Sequence, residues 1–177
     1  LTLPNGVNNF NPSALGGAGN YEVRYNYSDE NGCSNISEPK TLTINPLPSL
    51  TLTGFVAGTP PAYCVNSSDF VINAFNNGNP IVLPDPNATF RIRRVSPFVT
   101  SFEVFGGTFQ PSQPLPSNPL SSNPTITERN SRAGTYEVSF TYVDGNNCVN
   151  VVTQQVVVYP IPVVTFQFPF SDKDNYC

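Results

Sequence analysis

The sequence predicts an all-β protein made of β-sandwich modules in tandem, and three observations lead to this prediction. Two segments alternate apolar and polar residues with the period of two that places one face of a strand in a core. Turn-forming residues are abundant, with 22 Asn, 19 Pro and 12 Gly in 177 residues. A segment of about 114 residues also recurs along the chain, and this is the size of an independent sandwich domain.

The first element that the sequence predicts is a β-hairpin, which appears once in each copy of the repeat. Apolar side chains alternate with polar ones over residues 21–27 and again over 136–142. Each alternating strand leads into a turn, at 29–32 and 144–147, whose Asn and Gly residues tolerate the positive φ of hairpin turns. The second strands of these hairpins are predicted at Thr41–Ile44 and Val151–Val158. Four further strands are predicted at Leu50–Thr53, Phe70–Phe75, Phe90–Val95 and Ser101–Phe105, and a long Pro-rich surface loop at Gln110–Asn123.

Three pairs of matching blocks define the repeat. They are residues 18–33 with 133–148, 45–48 with 159–162, and 63–64 with 176–177. The blocks keep their order, and their offset changes only from 115 to 113 residues. A repeat of this length indicates domains that fold one by one rather than a solenoid. We therefore predict the C-terminal part of one copy in residues 1–46, a complete copy in 49–160 and the start of a third in 163–177.

A short proline-containing segment lies where each copy passes into the next. These linkers are Pro46-Leu47-Pro48 and Pro160-Ile161-Pro162. Alternate prolines fix φ and favour an extended backbone. We therefore expect Pro46, Pro48, Pro160 and Pro162 to make short, semi-rigid spacers.

Composition and charge exclude several classes of function. Charged residues make up 11% of the chain and the net charge is −4, whereas nucleic-acid binding needs a concentrated basic surface. No stretch approaches the roughly 18 to 20 apolar residues of a membrane-spanning helix. The chain has no His, so a Ser-His-Asp or Cys-His arrangement is impossible. We expect no enzymatic activity, no nucleic-acid partner and no membrane span.

Several clusters of polar residues are candidate sites. Paired carboxylates can serve a glycosidase. The pairs Asp29 with Glu30 and Asp172 with Asp174 lie in turn-like segments, where solvated side chains are the ordinary interpretation. We expect no cofactor, with calcium as a minor alternative. Calcium binds hard oxygen ligands, and such side chains lie near the ends of the copies: Asp29, Glu30, Asn31, Asp144, Asn146, Asp172, Asp174 and Asn175. The basic cluster Arg91, Arg93 and Arg94 alternates with Phe90 and Ile92, which predicts a solvated edge strand.

The recurring segments resemble the tandem Ig-like or PKD-like repeats of giant Bacteroidota cell-surface adhesins. They are Phe10-Asn11-Pro12, Gly19-Asn20-Tyr21-Glu22-Val23, Asp29-Glu30-Asn31-Gly32-Cys33, Asn45-Pro46-Leu47-Pro48 and Tyr63-Cys64-Val65-Asn66. Residues 76–130 depart from the pattern. Such proteins include the gliding-motility adhesin and other cargo of the type IX secretion system. The resemblance implies Ig-like β-sandwiches in an elongated array.

The same resemblance implies a function and a location. The chain would be a stalk segment of a large extracellular filament at the cell surface, acting in adhesion or gliding motility. Its partners would be neighbouring modules of the same chain, other filament chains or surface polysaccharide. The alternatives are a carbohydrate- or surface-binding module that uses the loop 110–123, or an accessory domain of a secreted enzyme.

Each copy owns two cysteines, which we call its early and its late cysteine. Cys64 and Cys177 are early cysteines, whereas Cys33 and Cys148 are late ones. We favour a Cys64–Cys148 disulfide, with the partners of Cys33 and Cys177 outside this sequence; it would close an 85-residue loop and stabilise by about 4 to 5 kcal/mol. The alternative follows from the Ig-like topology, in which the turn between the first two strands and the turn of the last hairpin lie at opposite poles of the sandwich. The early cysteine would then meet the late cysteine of the following copy.

Overall fold

The computed structural model describes residues 2–3, 11–98 and 102–165, and their fold is all-β with one short helix. The strands are β1 (Thr2–Leu3), β2 (Gly19–Ser28), β3 (Ser34–Ile36), β4 (Lys40–Ile44), β5 (Leu50–Thr53), β6 (Ala62–Cys64), β7 (Phe70–Val71), β8 (Asn73–Asn76), β9 (Asn79–Pro80), β10 (Ala88–Ser96), β11 (Glu103–Phe105), β12 (Thr108–Phe109), β13 (Gly134–Val143) and β14 (Val149–Tyr159). A 3₁₀ turn covers Pro12–Ala14, and the helix α1 covers Ile126–Asn130.

The chain divides into two compact units. The first unit comprises Leu1–Ser49 together with Tyr142–Asn150, and the second comprises Leu50–Thr141 with Val151–Cys177. The turn between β13 and β14 therefore belongs to the first unit, together with the last two residues of β13 and the first two of β14. The other residues of both strands belong to the second unit.

The sheet of the first unit is centred on β2. This strand pairs antiparallel with β4 over one half, from Gly19 opposite Ile44, and with β3 over the other half, ending at Ser28 opposite Ser34. Strand β1 pairs with β2 in parallel. The gap between β3 and β4 contains Pro39, which has no backbone N–H to donate to a partner strand.

The second unit contains a five-stranded sheet in the order β11-β10-β13-β14-β6. Strand β6 runs parallel to the last residues of β14, with Ala62 opposite Val157 and Cys64 opposite Tyr159. Two smaller sheets, β5-β8-β9 and β12-β7, belong to the same unit. Strand β14 alternates exposed and more buried residues along its length, as the period of two predicts.

Apart from the buried Pro48 of the first unit, the core of the described residues lies in the second unit, and its buried hydrophobic side chains are Tyr63, Val65, Ile72, Ala74, Phe90, Ile92, Phe109, Tyr136, Val138, Phe140, Val156 and Val158. Aromatic rings join the sheets across this core. The ring of Tyr63 stacks on Phe70 with centroids 4.4 Å apart, and the ring of Phe109 meets Tyr136 edge-on at 6.4 Å. Such pairs add about 0.5–1.5 kcal/mol each beyond the area that they bury.

The structure confirms most of the predicted strands and the surface loop. Strands β2 and β13 begin 115 residues apart and end 115 residues apart. The start of β3 and the start of β14 have the same offset, and so do the end of β4 and the end of β14. The predicted strand 70–75 is divided, because β7 pairs with β12 whereas β8 pairs with β5. Helix α1 and the short strands β6, β9 and β12 were not predicted.

One prediction about strand position was wrong. The strand that carries Arg91, Arg93 and Arg94 is not an edge strand, because β10 lies between β11 and β13. Its alternation is nevertheless real, since Phe90 and Ile92 are buried while Arg91 is exposed.

Candidate functional site: hairpin turns, linkers and cysteines

The first feature of the site is the turn that precedes each late cysteine. In the first copy, the Oδ1 atom of Asp29 accepts hydrogen bonds from the backbone N–H groups of Asn31 and Cys33, at 2.9 and 2.8 Å. The backbone closes the same turn, because Gly32 donates its N–H to the Asp29 carbonyl at 3.1 Å. The carboxylate of Asp29 therefore fixes the turn.

The second copy repeats this network atom for atom. The Oδ1 atom of Asp144 accepts from the N–H groups of Asn146 and Cys148, at 2.8 and 2.9 Å. Asn147 takes the position of the glycine, with φ +61°, and donates its N–H to the Asp144 carbonyl at 3.0 Å. Asn is one of the few side chains that adopts positive φ readily. Both turns thus have the same geometry in spite of this substitution.

These bonds explain the acidic turn residues without a metal. Asp29 and Asp144 each direct one oxygen at two backbone donors, which is an ordinary turn interaction. Within the described residues, no three His, Cys, Asp or Glu side chains gather into a potential metal site. The remaining calcium candidates Asp172, Asp174 and Asn175, and the carboxylate pair that includes the first two, lie outside the described residues.

A second recurring feature is a tyrosine that binds the backbone four residues upstream. The Tyr136 hydroxyl donates to the carbonyl of Arg132 at 2.6 Å, and the Tyr21 hydroxyl donates to the carbonyl of Gly17 at 2.7 Å. Burial raises the pKa of the Tyr136 hydroxyl above its ordinary value, although the guanidinium groups of Arg94 and Arg132 partly oppose this shift. The bond ties the segment before β13 to the core.

The linker after the second copy is held by a side-chain amide. Asn130, the last residue of α1, donates from Nδ2 to the Ile161 carbonyl at 3.0 Å. Its Oδ1 atom accepts from the N–H group of Ile161 at 2.9 Å. One amide therefore satisfies both backbone groups of the residue between Pro160 and Pro162, and it fixes the direction in which this linker leaves β14.

The linker after the first copy is held by a different asparagine. Asn150 donates from Nδ2 to the carbonyl of Pro48 at 2.7 Å, and both residues belong to the first unit. Pro48 is buried, whereas Leu47 is exposed. Leu15, which corresponds to Asn130 by the 115-residue offset, lines a groove of about 360 Å³ together with Pro46 and Leu47.

The cysteines do not form the favoured Cys64–Cys148 disulfide. Cys33, Cys64 and Cys148 are all free thiols, and Cys177 lies outside the described residues. Cys64 pairs with Tyr159 at the end of β14, whereas Cys148 directly precedes the first residue of that strand. The structure therefore shows no bond between Cys64 and Cys148, and their disulfide stays a prediction.

The loop 110–123 is held by hydrogen bonds to two glutamates. Glu103 accepts hydrogen bonds from the N–H and hydroxyl of Ser117, at 2.9 and 2.6 Å. Glu128 accepts from the same two groups of Ser121, both at 2.7 Å, and these bonds lower the pKa of its carboxyl. The Gln110 side chain adds a bond to Asp69 at 3.1 Å. The loop is therefore attached at several points, with Pro111 and Pro114 buried and most of residues 115–123 exposed.

Two of the three arginines in the cluster make contacts within the chain. Arg93 pairs with Glu137 at 3.2 Å and lies over the Phe102 ring, with its guanidinium carbon 4.5 Å from the ring centroid. Arg94 donates to the carbonyl of Ala133. These contacts tie β10 to its neighbours, so the Arg93 and Arg94 side chains have a structural role.

Sequence reasoning missed the two asparagines that hold the linkers. Asn130 lies 31 residues before its partner Ile161, and no local pattern connects such distant residues. A partial signal existed for α1, because Thr125 caps the helix by accepting from the Glu128 N–H at 3.1 Å. The Thr-x-x-Glu spacing is a known helix start, and it places Asn130 at the end of that helix.

No helix within the described residues is long and apolar enough to cross a membrane. The recurring turns and the hydrogen-bonded linkers are the candidate functional features of the described residues. Comparison with known proteins found no matching family model, no matching curated protein and no matching solved structure.

Proposed function

We propose that this chain is a stalk segment of a large extracellular filament that acts in surface adhesion or gliding motility. The observation that carries the proposal is that the proline linker after each copy is held by a side-chain amide, from Asn150 to Pro48 and from Asn130 to Ile161. A linker that is extended and anchored transmits orientation from one domain to the next. A spacer requires that property, whereas a flexible tether does not.

The finer fold that the proposal needs is a series of Ig-like sandwiches. Two features of the second unit support it. The neighbours β10, β13 and β14 correspond in order to strands C, F and G of the Ig fold, and the hydrogen bond from Tyr136 to the Arg132 carbonyl resembles the tyrosine corner before strand F. The equivalent bond from Tyr21 to the Gly17 carbonyl supports a second copy of the same fold.

The distribution of the core also supports a chain of consecutive domains. Apart from Pro48, all buried apolar side chains of the described residues lie in the second unit. The first unit then corresponds to the C-terminal hairpin of a domain whose remaining strands would precede residue 1. A domain of this kind needs its own hydrophobic core to be stable.

The test is negative-stain imaging of the intact parent protein, purified from the cell surface or the medium without reductant. We expect thin filaments with beads at a regular spacing, each bead about the size of one 114-residue domain. A compact particle of one to three domains would contradict the stalk and would leave an accessory role.

A second candidate function is carbohydrate binding by the loop 110–123. The observation that favours it is the attachment of this loop through Ser117 and Ser121 to Glu103 and Glu128, because a pre-ordered loop loses less entropy on binding. A glycan array with the wild-type chain and a variant with a shortened loop tests it. Binding that the shortened loop abolishes would support this function, and the absence of any binding by the wild-type chain would contradict it.

A further inference from the structure

Two Asn-Gly sequences lie within the described residues, at Asn31-Gly32 and at Asn77-Gly78. An asparagine side chain can react with the backbone nitrogen of the residue that follows it. Glycine favours this reaction, because it has no side chain to shield its nitrogen and its backbone rotates freely. Both asparagines are exposed, and a Cβ atom added to either glycine would meet nothing within 4 Å. Exposure and local space therefore do not distinguish the two positions.

The turn at Asn31 engages the nitrogens of both central residues. The Asn31 N–H donates to Oδ1 of Asp29 at 2.9 Å, and the Gly32 N–H donates to the Asp29 carbonyl at 3.1 Å. The same carboxylate oxygen also accepts from the Cys33 N–H at 2.8 Å. The nitrogen that would attack the Asn31 side chain is therefore hydrogen-bonded, and all three bonds resist opening of the turn.

The turn at Asn77 has a different set of contacts. It joins β8 to β9, with Asn76 opposite Asn79, and Asn77 and Gly78 have φ of +50° and +78°, as hairpin turns of this sequence require. Its side-chain bond runs from Nδ2 of Asn79 to the Asn77 carbonyl and is 3.5 Å long. Within the described part of the chain, no backbone carbonyl accepts from the Gly78 N–H. Strand β9 ends its sheet and contains Pro80, which has no N–H to donate. This turn therefore opens more easily.

We propose that Asn77 is a site of spontaneous covalent modification, at which the folded chain forms a succinimide with Gly78 and loses ammonia. The Gly78 nitrogen gives its proton to hydroxide and forms a bond to Cγ of Asn77. The Cγ–Nδ2 bond breaks, and the amide nitrogen takes a proton from water and leaves as ammonia. Water then opens the ring at either carbonyl carbon, which leaves aspartate or isoaspartate at position 77. The hydrogen bonds to Asp29 protect Asn31 from the same reaction. The inference does not depend on the proposed stalk.

The modification alters the hairpin that contains β9. Either product adds a negative charge at position 77, and isoaspartate also adds an extra carbon atom to the backbone of a two-residue turn. The length of such a turn fixes the register of the strands that it joins. After β9, the Ile81 N–H donates to the Ala74 carbonyl at 2.9 Å. Hydrogen exchange of the Ile81 amide therefore reports whether the hairpin stays paired.

The test compares the folded chain with the chain unfolded in urea. Both are incubated at mildly alkaline pH and digested with trypsin, which places Asn31 in residues 25–40 and Asn77 in 41–91. Mass spectrometry with fragmentation then measures the modified fraction at each asparagine. In urea the two should react at similar rates. Folding should slow Asn31 about tenfold or more and Asn77 less than about threefold. Equal slowing of both, or a faster reaction at Asn31 in the folded chain, would overturn the proposal.

Two variants connect the difference in rate to the two turns. Asp29→Ala removes the carboxylate from the first turn, so Asn31 should react about threefold faster or more in the folded chain, while the rate at Asn77 stays unchanged. Asn77→Gly keeps a sequence that adopts positive φ and removes the reactive amide. After the same incubation, the Ile81 amide should exchange faster in the wild-type chain but not in Asn77→Gly. An unchanged rate at Asn31 in Asp29→Ala would refute the protection on which the proposal rests.

Discussion

At the scale of single residues, the hydroxyl of Tyr136 makes a buried hydrogen bond in the second unit. Tyr136 is 1% exposed, and its hydroxyl satisfies the carbonyl of Arg132. Tyr136→Phe leaves this carbonyl without its partner, so we expect a loss of about 1 to 3 kcal/mol in the free energy of unfolding. Urea denaturation measures it. Tyr21→Phe is the matched control and should cost less, because its bond to Gly17 is exposed. Equal losses would contradict this account.

The same residue predicts a dependence of stability on pH. Burial raises the pKa of Tyr136 in the folded state above that of the unfolded chain. The stabilising contribution is therefore complete below the unfolded pKa of about 10. It is lost as pH rises through the folded pKa, because the unfolded chain releases its proton first. Tyr136→Phe should reduce this alkaline loss of stability, which is measured as the free energy of unfolding at a series of pH values. If the free energy of unfolding of the variant falls with pH as steeply as that of the wild-type chain, other groups cause the loss.

The carboxylate of Asp144 allows a test that separates turn formation from calcium binding. Asp144→Ala removes the acceptor of two backbone N–H groups, and we expect it to cost about 1 to 2 kcal/mol. Asp144→Asn keeps an oxygen at the same position and should retain most of the stability. Thermal unfolding with calcium and with a chelator completes the measurement. A large effect of Asp144→Asn together with a calcium-dependent midpoint would favour a metal site instead.

At the scale of elements, the linkers are anchored by asparagines that lie on other segments. Asn130→Ala removes both hydrogen bonds to Ile161, each worth about 0.5–1.5 kcal/mol. We expect the Ile161 amide to exchange its hydrogen about tenfold faster or more, as NMR would measure. Asn118→Ala, in the exposed part of the loop, is the control and should leave that amide unchanged. An unchanged Ile161 rate in Asn130→Ala would mean that the prolines alone hold the linker.

The approach of β10 to β13 depends on one glycine. A Cβ atom at Gly134 would collide with the backbone carbonyl of Ser96 and would lie 2.8 Å from the Nε atom of Arg94. Gly134→Ala should therefore cost about 1 to 3 kcal/mol through overpacking. Gly145→Ala, where a Cβ would meet nothing within 4 Å, should change stability by less than about 0.5 kcal/mol. Equal effects of the two substitutions in urea denaturation would contradict this packing.

At the scale of the whole molecule, the buried core is distributed unequally between the two units. The first unit has an ordered sheet, but apart from Pro48 the buried apolar side chains of the described residues belong to the second. Burial of apolar surface is the main stabilising contribution to folding. The amides of β2 and β4 should therefore exchange about tenfold faster or more than those of β8 and β10. Hydrogen exchange with mass spectrometry measures this, and equal protection would indicate a single cooperative unit.

The sequence by itself determined the two hairpins and the repeat. The period of two over residues 21–27 and 136–142 reflects the pleat of a single strand, and the turn residues at 29–32 and 144–147 act on their own backbone. These are local effects, so a one-dimensional pattern contains them. The strand boundaries 115 residues apart and the matching Asp29 and Asp144 turns follow from the same local chemistry.

Only the tertiary structure decided how these elements are arranged. The central position of β10, the parallel pairing of Cys64 with Tyr159 and the clamp of Asn130 on Ile161 all join residues far apart in sequence. Their partners are chosen by packing and by the pairing of strand edges, and no local propensity encodes that choice. For this reason the sequence predicted two cysteines per copy, whereas the structure decided that Cys64 pairs with Tyr159 and that Cys148 belongs to the turn held by Asp144.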